Sequence, residues 1–134
     1  MSNFSVLVVD DDERIRKLLV EYLGLEQVSV DSARDGVEAL HRIALNRYDV
    51  IVLDVVMPKM SGVDFLNSLD AMLTDASIRS FDQPPAVLVM TATPPSDLPQ
   101  STLQGRYPQL VRDVFRKPLD LPELAKTVAS HLAR

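Results

Sequence analysis

One stretch of the chain constrains the fold more than any other: the apolar run Val50–Leu53, which ends abruptly at the carboxylate of Asp54. Three of the four residues in the run are β-branched, which is typical of a strand buried on both faces of a parallel sheet. Open α/β sheets bind their ligands at the carboxyl ends of strands. Asp54 is therefore a candidate residue of a phosphate or metal site, and Pro58 and Gly62 indicate the loop that follows it.

Four more segments have the character of strands. In chain order they are Ser5–Val9, Gln27–Asp31, Ala86–Met90 and Val111–Arg116. The segment Gln27–Asp31 alternates polar and apolar residues, as an edge strand does. The other three are followed by polar groups, namely the triplet Asp10-Asp11-Asp12, the hydroxyl of Thr91 and the dipeptide Lys117-Pro118.

Helical periodicity separates these strands. Apolar residues at spacings of three and four predict helices with one buried face. Asp12 or Asp11 is the expected N-cap of the first helix, Gly24 ends it, and Asp35-Gly36 opens the second. The residues predicted to face inward, helix by helix, are Ile15, Leu18, Leu19, Tyr22 and Leu23, then Val37, Leu40, Ile43 and Ala44, then Val63, Leu66, Leu69 and Leu73, and finally Leu121, Leu124, Val128 and Leu132.

The segment before the last strand is rich in proline and predicts an atypical fourth helix, either short or displaced. At most a short helix fits there, from Pro99 to Gln104 with Gly105 as its stop. The stretch between Asp54 and Thr91 is long, which indicates an extended third helix or an added loop.

Alternation of strands and helices predicts right-handed βαβ units around a parallel sheet that is covered on both faces. Five strands with the alternating one at an edge favour the flavodoxin-like, doubly wound order 2-1-3-4-5. In that order the first and third strands meet at the switch point. Asp10, Asp11 and Asp54 are therefore expected to converge.

Composition excludes several functional classes. The chain has no cysteine, which removes disulfides and Cys-ligated zinc and fits a cytoplasmic location. A net charge of −5 argues against nucleic-acid binding. No apolar run is long enough to span a bilayer, so no membrane association is expected. His41 and His131 have no partner at the spacing that metal ligation requires.

Converging carboxylates repel one another, so they either take up protons or bind a cation. Hard oxygen ligands without His or Cys suit Mg²⁺. A magnesium ion beside a carboxylate nucleophile is the setting for phosphoryl transfer to Asp54. Lys117 can supply further positive charge to the phosphoryl oxygens, and Thr91 can offer them a hydroxyl.

The chain resembles the receiver domain of bacterial two-component response regulators, of the single-domain, chemotaxis-regulator-like kind. The matching residues are Val8-Val9-Asp10-Asp11, Asp54 with Met57-Pro58-Lys59-Met60-Ser61-Gly62, Thr91-Ala92 and Lys117-Pro118. Together and in this order, these motifs are highly specific.

The resemblance implies that Asp54 accepts a phosphoryl group from a histidine kinase or a histidine phosphotransfer protein, directly or within a phosphorelay. It implies that Asp11 binds Mg²⁺ directly, Asp10 mostly through water, and Val56 through its carbonyl. Lys117 would pair with the phosphoryl group, and the Lys117–Pro118 bond would be cis.

One departure from the family concerns signalling. The position three residues before Lys117 usually holds a Tyr or Phe whose rotamer reports phosphorylation, but here it is Val114. Phe115 is adjacent and should point to the other face of the sheet, because side chains alternate along a strand. The phosphorylation site is therefore intact while the signalling face differs.

Residues 1–134 are expected to form one receiver domain without an output domain, because the last helix reaches the end of the chain. Signalling would then pass through contact with an unidentified protein effector, and a homodimer is compatible with the sequence. Such a module assists its own phosphorylation without being a turnover enzyme.

Two alternatives stay open. One is a magnesium phosphatase of the haloacid-dehalogenase kind with Asp10 and Asp12 as nucleophile and acid, although those enzymes want Thr or Val where this chain has Arg14. The other is a receiver-like scaffold that no longer takes phosphate.

Overall fold

The computed structural model describes residues 4–24, 28–57, 59–75, 84–93 and 100–132. Strands and helices alternate along the chain. In order they are β1 (Phe4–Val9), α1 (Glu13–Leu23), β2 (Val28–Ala33), α2 (Gly36–Leu45), β3 (Val50–Asp54), α3 (Gly62–Thr74), β4 (Ala86–Thr91), α4 (Gln100–Arg106), β5 (Val111–Arg116) and α5 (Leu121–Leu132).

The five strands form one parallel sheet in the order β2-β1-β3-β4-β5. This order confirms the predicted doubly wound topology. Every residue of β3 is buried, as its apolar run predicted. The strand β2 lies at one edge, which confirms the interpretation of its alternating pattern, and β5 lies at the other.

Alternating side chains of the sheet supply two hydrophobic cores, one on each face. Ile51 and Leu53 of β3 join the core that α2, α3 and α4 cover. Val50 and Val52 join the core under α1 and α5. This two-sided burial is what makes β3 continuously apolar.

The helices begin at the polar residues that precede them. Asp12 caps α1, Asp35 caps α2 and Ser61 caps α3, each by accepting a backbone N–H with its side chain. These caps satisfy donors that have no partner within the helix. Gly24 is the C-cap of α1, as predicted.

Helical periodicity did not predict every buried and exposed residue of the helices correctly. Among the residues predicted to face inward, Leu18 is 46% exposed, Tyr22 39% and Val37 41%, and Ala44 is exposed as well. The helices α1 and α2 each bury a stripe narrower than the apolar pattern. Conversely, the fully buried Phe65 of α3 was not among the predicted core residues.

The fourth helix is short, as predicted, but the predicted stop was wrong. Gly105 lies within α4, which ends at Arg106. A glycine ends a helix by adopting a left-handed conformation, and no described glycine has a positive φ. Leu103 and Tyr107 are both buried, so packing carries the helix past the glycine. The proline cluster at 94–99 and the stretch 76–83 lie outside the described residues.

None of the helices within the described ranges is both long enough and apolar enough to cross a membrane.

Asp35 caps α2 from a buried position and should contribute pH-dependent stability. Its Oδ1 accepts the N–H of Glu38 at 2.9 Å. That hydrogen bond, with help from the charge of Lys59, lowers the pKa of Asp35 although burial opposes the shift. The carboxylate therefore stabilises the fold above the unfolded pKa of about 3.9, and this contribution is lost as the pH falls through the folded pKa. We expect Asp35→Ala to lower the free energy of unfolding at pH 7 by about 1 kcal/mol.

Asp35→Asn separates the charge from the cap, because the amide oxygen can still accept the Glu38 N–H. Its stability deficit should be largest at neutral pH and should disappear in acid, where the wild-type carboxyl group is protonated too. Urea unfolding at a series of pH values measures the deficit. A deficit that is constant across the series would contradict the assignment to charge.

Candidate functional site

The carboxyl ends of four strands bring the predicted site residues to one edge of the sheet. Asp54 is the last residue of β3 and Thr91 the last of β4, while Asp10 and Lys117 directly follow β1 and β5. The register aligns these ends, because Asp54 pairs with Met90. The topology therefore brings side chains from distant parts of the sequence together at this edge of the sheet.

Three carboxylates converge there, as predicted. Asp10, Asp11 and Asp54 each offer an oxygen, and these oxygens lie within 4.8 Å of one another. Asp10 and Asp54 are buried, whereas Asp11 is exposed. The cluster is therefore open to solvent on the side of Asp11.

Lys117 lies against two of the three carboxylates. Its Nζ is 2.9 Å from Asp10 Oδ2 and 3.3 Å from Asp54 Oδ2. Burial lowers the pKa of Lys117, but the hydrogen bonds and charges of Asp10 and Asp54 outweigh it, so that the pKa is raised. Lys117 is thus a fixed positive charge at the candidate acceptor.

Burial and a neighbouring carboxylate disfavour the ionised form of Asp54. Burial raises its pKa, and the neighbouring charge of Asp10 adds to the rise. The N–H of Val56, 3.1 Å from Asp54 Oδ1, and the ammonium of Lys117 oppose the shift without cancelling it. A further cation would stabilise the ionised form.

Two neighbours orient Asp10. The N–H of Asp12 donates to Asp10 Oδ1 at 2.9 Å, and Arg16 Nη1 donates to the Asp10 carbonyl at 2.8 Å. Sequence reasoning missed the role of Arg16. The available signal was its place in the first turns of α1, directly after the acidic triplet.

Asp12 has a different role from the other two members of the triplet. Its Oδ1 accepts the N–H of Arg14 at 2.9 Å as the N-cap of α1, and that hydrogen bond lowers the pKa of Asp12. A general acid must carry a proton at the working pH. The geometry therefore disfavours the pairing of Asp10 and Asp12 that the phosphatase alternative requires.

Thr91 is fully buried at the end of β4. Its Oγ1 accepts the N–H of Thr93 at 2.9 Å, and its carbonyl accepts the N–H of Lys117 at 2.8 Å. Arg116 Nη1 donates to the carbonyl of Thr93 at 2.8 Å. Arg116 is the second residue near the site that sequence reasoning missed.

The first residue of α3 packs closely against the backbone at the end of β3. A Cβ on Gly62 would lie 2.4 Å from Val55 Cα and 2.8 Å from the Asp54 carbonyl oxygen, so this position excludes a side chain. Lys59 has a φ of 67°, and its Nζ lies 3.6 Å from Asp35 Oδ2. Pro58 lies outside the described residues.

Two further expectations from the sequence hold. The Lys117–Pro118 peptide bond is cis. Phe115 packs into the core under α1 and α5, whereas Val114 packs into the core on the opposite face. Val114, three residues before Lys117, therefore lies on the opposite face of the sheet from Phe115.

The donor set fits a magnesium ion. The three converging ligands are all carboxylate oxygens, which Mg²⁺ prefers, and the solvent-exposed side leaves space for the waters that it usually keeps. Val56, whose carbonyl is the predicted fourth protein ligand, lies two residues after Asp54, and the residue is 64% exposed.

Comparison with known sequences gives consistent matches. A family model described as the response regulator receiver domain matches residues 6–129. The response regulator MprA of Mycobacterium sp. (strain KMS) is 42% identical over 132 residues, which cover 96% of this chain and 50% of the relative. MprA of Mycobacterium leprae (strain TN) is 33% identical over 132 residues, with 96% and 51% covered. The chain spans about half the length of the curated relatives it matches.

Solved structures show the same similarity. The chemotaxis protein CheY4 of Vibrio cholerae superposes with a TM-score of 0.75 at 29% identity, over 95% of this chain and 97% of that one. The response regulator protein TrrA of Thermotoga maritima, solved in complex with Mg²⁺-BeF, gives a TM-score of 0.74 at 26% identity, over 96% and 98%.

Proposed function

The chain belongs to the response regulator receiver domain family, and from this membership we propose that Asp54 accepts a phosphoryl group from a histidine kinase or histidine phosphotransfer protein in a Mg²⁺-dependent reaction. The observation that carries the proposal is the position of Asp54. It is 4% exposed, lies in one cluster with Asp10 and Asp11, and has Lys117 Nζ 3.3 Å from its Oδ2.

The covalent step exchanges one bond for another. A carboxylate oxygen of Asp54 forms the new O–P bond while the P–N bond of a phosphohistidine breaks, and the bonding electron pair leaves with the imidazole nitrogen. Asp54 acts as the ionised carboxylate. The Val56 N–H and the Lys117 ammonium hold its two oxygens in place, so little reorientation is needed.

The remaining site residues have distinct roles in the proposal. Asp10, Asp11 and Asp54, with the carbonyl of Val56, would hold Mg²⁺, and the bound ion would supply positive charge to the phosphoryl oxygens. Lys117 provides a second positive charge there. Thr91 can donate its hydroxyl proton to a phosphoryl oxygen, because the contact with Thr93 uses the hydroxyl oxygen only as an acceptor.

The phosphorylated chain is proposed to signal by changing which protein its surface binds. The chain forms one receiver unit in this proposal, is located in the cytoplasm, and works as a switch whose acyl phosphate is made and lost on the same residue. It is not a turnover enzyme.

Labelling by acetyl phosphate tests the proposal. We expect intact-protein mass spectrometry to show one phosphoryl group per chain in the presence of Mg²⁺ and none after chelation with EDTA. A chain that stays unlabelled in Mg²⁺ would instead be a receiver-like scaffold.

A groove beside the acceptor indicates where a phosphodonor would pack. It has a volume of about 220 Å³ and is lined by Ile15, Leu18, Leu19, Lys117, Pro118, Leu119 and Leu121. Because Lys117 belongs both to this groove and to the site, a phosphodonor that reaches Asp54 from this side would contact the groove. We propose the apolar surface of the phosphodonor as the occupant.

Two exposed leucines provide a matched test of this groove. Leu18 lies in the groove and is 46% exposed, whereas Leu45 on α2 is 84% exposed. Leu18→Glu should slow transfer from a phosphotransfer protein that labels the wild type by about tenfold, which corresponds to about 1.4 kcal/mol. Labelling by acetyl phosphate should not change, because this small donor does not need the groove.

Leu45→Glu is the control and should leave both rates unchanged. Stopped labelling reactions followed by gel autoradiography measure the two rates. Equal transfer rates for Leu18→Glu and Leu45→Glu would exclude the groove as the docking surface.

A further inference from the structure

Arg116 connects the last strand to the loop that follows β4. Its Nη1 donates to the carbonyl of Thr93 at 2.8 Å, while its backbone pairs with Thr91 in the sheet. We propose that Arg116 is the positioning residue that transmits phosphorylation from Thr91 to β5, in place of the aromatic side chain that Val114 lacks. This inference rests on the proposed function of Asp54.

The contact continues a chain of hydrogen bonds that begins at the candidate acceptor site. The Oγ1 of Thr91 accepts the N–H of Thr93 at 2.9 Å, and the carbonyl of Thr93 in turn accepts from Arg116. Thr93 therefore has its N–H tied to the side chain of Thr91 and its carbonyl tied to β5. If the Thr91 side chain moves towards a phosphoryl oxygen, Thr93 must follow it or the hydrogen bond between the two residues must break.

The guanidinium is suited to this role by its charge and shape. A hydrogen bond from a charged donor is stronger than one between neutral groups, and the planar fork of arginine is directional. Val114 is packed in the hydrophobic core and has no polar side-chain atom to contact the loop. Arg116, which lies on β5 as Val114 does, is therefore positioned to respond when Thr93 is displaced.

Hydrogen bonds connect the C-terminal end of α4 to α3 and β5. The hydroxyl of Tyr107 donates to Asn67 on α3, and Gln104 Nε2 donates to the carbonyl of Arg112 at 2.9 Å. Tyr107 is 3% exposed. A displacement of Thr93 is passed to β5 by the Arg116 side chain, in addition to the backbone hydrogen bond from Lys117 to Thr91.

Three variants test the relay. Arg116→Met keeps the length of the side chain and removes the donor, while Arg116→Lys keeps a charged donor. Arg112→Met is the control, because Arg112 is an exposed arginine on the same strand. Amide chemical shifts of residues 100–116 would be recorded with Mg²⁺ alone and with Mg²⁺ and beryllofluoride, and acetyl phosphate labelling would be measured in parallel.

We expect beryllofluoride to shift the amides of β5 and α4 in the wild type and in Arg112→Met. In Arg116→Met these distant shifts should be lost while shifts next to Asp54 persist and labelling continues. Arg116→Lys should restore part of the distant response, which a purely structural role for the arginine side chain would not explain.

Distant shifts that persist in Arg116→Met would overturn the relay. Loss of labelling in Arg116→Met, with Arg116→Lys equally inactive, would also overturn it, because Arg116 would then act on the phosphoryl group itself. A wild-type chain that takes no label would overturn the proposed function of Asp54 first, and the two failures are thereby distinguished.

Discussion

We expect Asp54→Asn to abolish Mg²⁺-dependent labelling by acetyl phosphate, with a rate at least about 100-fold below that of the wild type, which corresponds to about 2.7 kcal/mol of activation free energy. The amide keeps the shape of the side chain and can still accept the N–H of Val56. It has no negative oxygen with which to attack phosphorus. The variant should therefore fold and fail only as an acceptor.

Asp64→Asn is the matched control for this result. Asp64 is an exposed aspartate in the first turn of α3, so its substitution should leave labelling unchanged. Intact-protein mass spectrometry of both variants provides the measurement.

The same variants separate a receiver from the phosphatase alternative. Steady turnover of small phosphate esters that persists in Asp54→Asn and disappears in Asp10→Asn would contradict the receiver mechanism. We expect no such turnover in either variant, because the carboxylate of Asp12 is committed to the cap of α1.

Lys117→Met should lower the rate of labelling by about 100-fold, the typical cost of removing one preorganised donor from a charged transition state. Lys117 also forms ion pairs with Asp10 and Asp54. Its removal leaves two buried carboxylates facing each other. Mg²⁺ should therefore raise the melting temperature of Lys117→Met more than that of the wild type, since the metal then supplies the missing charge.

Asp11→Asn provides the contrasting case. Asp11 is exposed, so the substitution should be tolerated by the fold. It removes a predicted metal ligand, and both the stabilisation by Mg²⁺ and the rate of labelling should fall. Scanning calorimetry at a series of Mg²⁺ concentrations distinguishes the variants. Equal responses to Mg²⁺ in Lys117→Met and Asp11→Asn would contradict the separate roles.

The sheet was predictable because its strands carry strong local signals. Val50–Leu53 is apolar throughout, since β3 is buried on both faces, and the alternation in β2 reflects its edge position. Helix orientation was less predictable. Leu18 and Val37 continue apolar stripes in the sequence, yet the rotation of each helix is set by tertiary packing, which exposes both residues.

The site residues also divide into some that the sequence predicts and some that it does not. Asp54 and Lys117 follow strands, so topology alone brings them together. The contacts of Arg16 and Arg116 depend on where long, flexible side chains end, which backbone pattern does not determine. Both reach backbone carbonyls, and because every residue carries such an acceptor, the sequence does not show which one is bound.

Gly62 has a consequence for how sequence variants of this chain are interpreted. A Cβ at position 62 would lie 2.4 Å from Val55 Cα. Even alanine would therefore push the start of α3 away from the backbone of Val55. In a saturation mutagenesis screen, position 62 should score with Asp54 among the intolerant positions although glycine has no reactive group. Such a result would reveal a steric requirement, and assigning a chemical role to the residue would be a mistake.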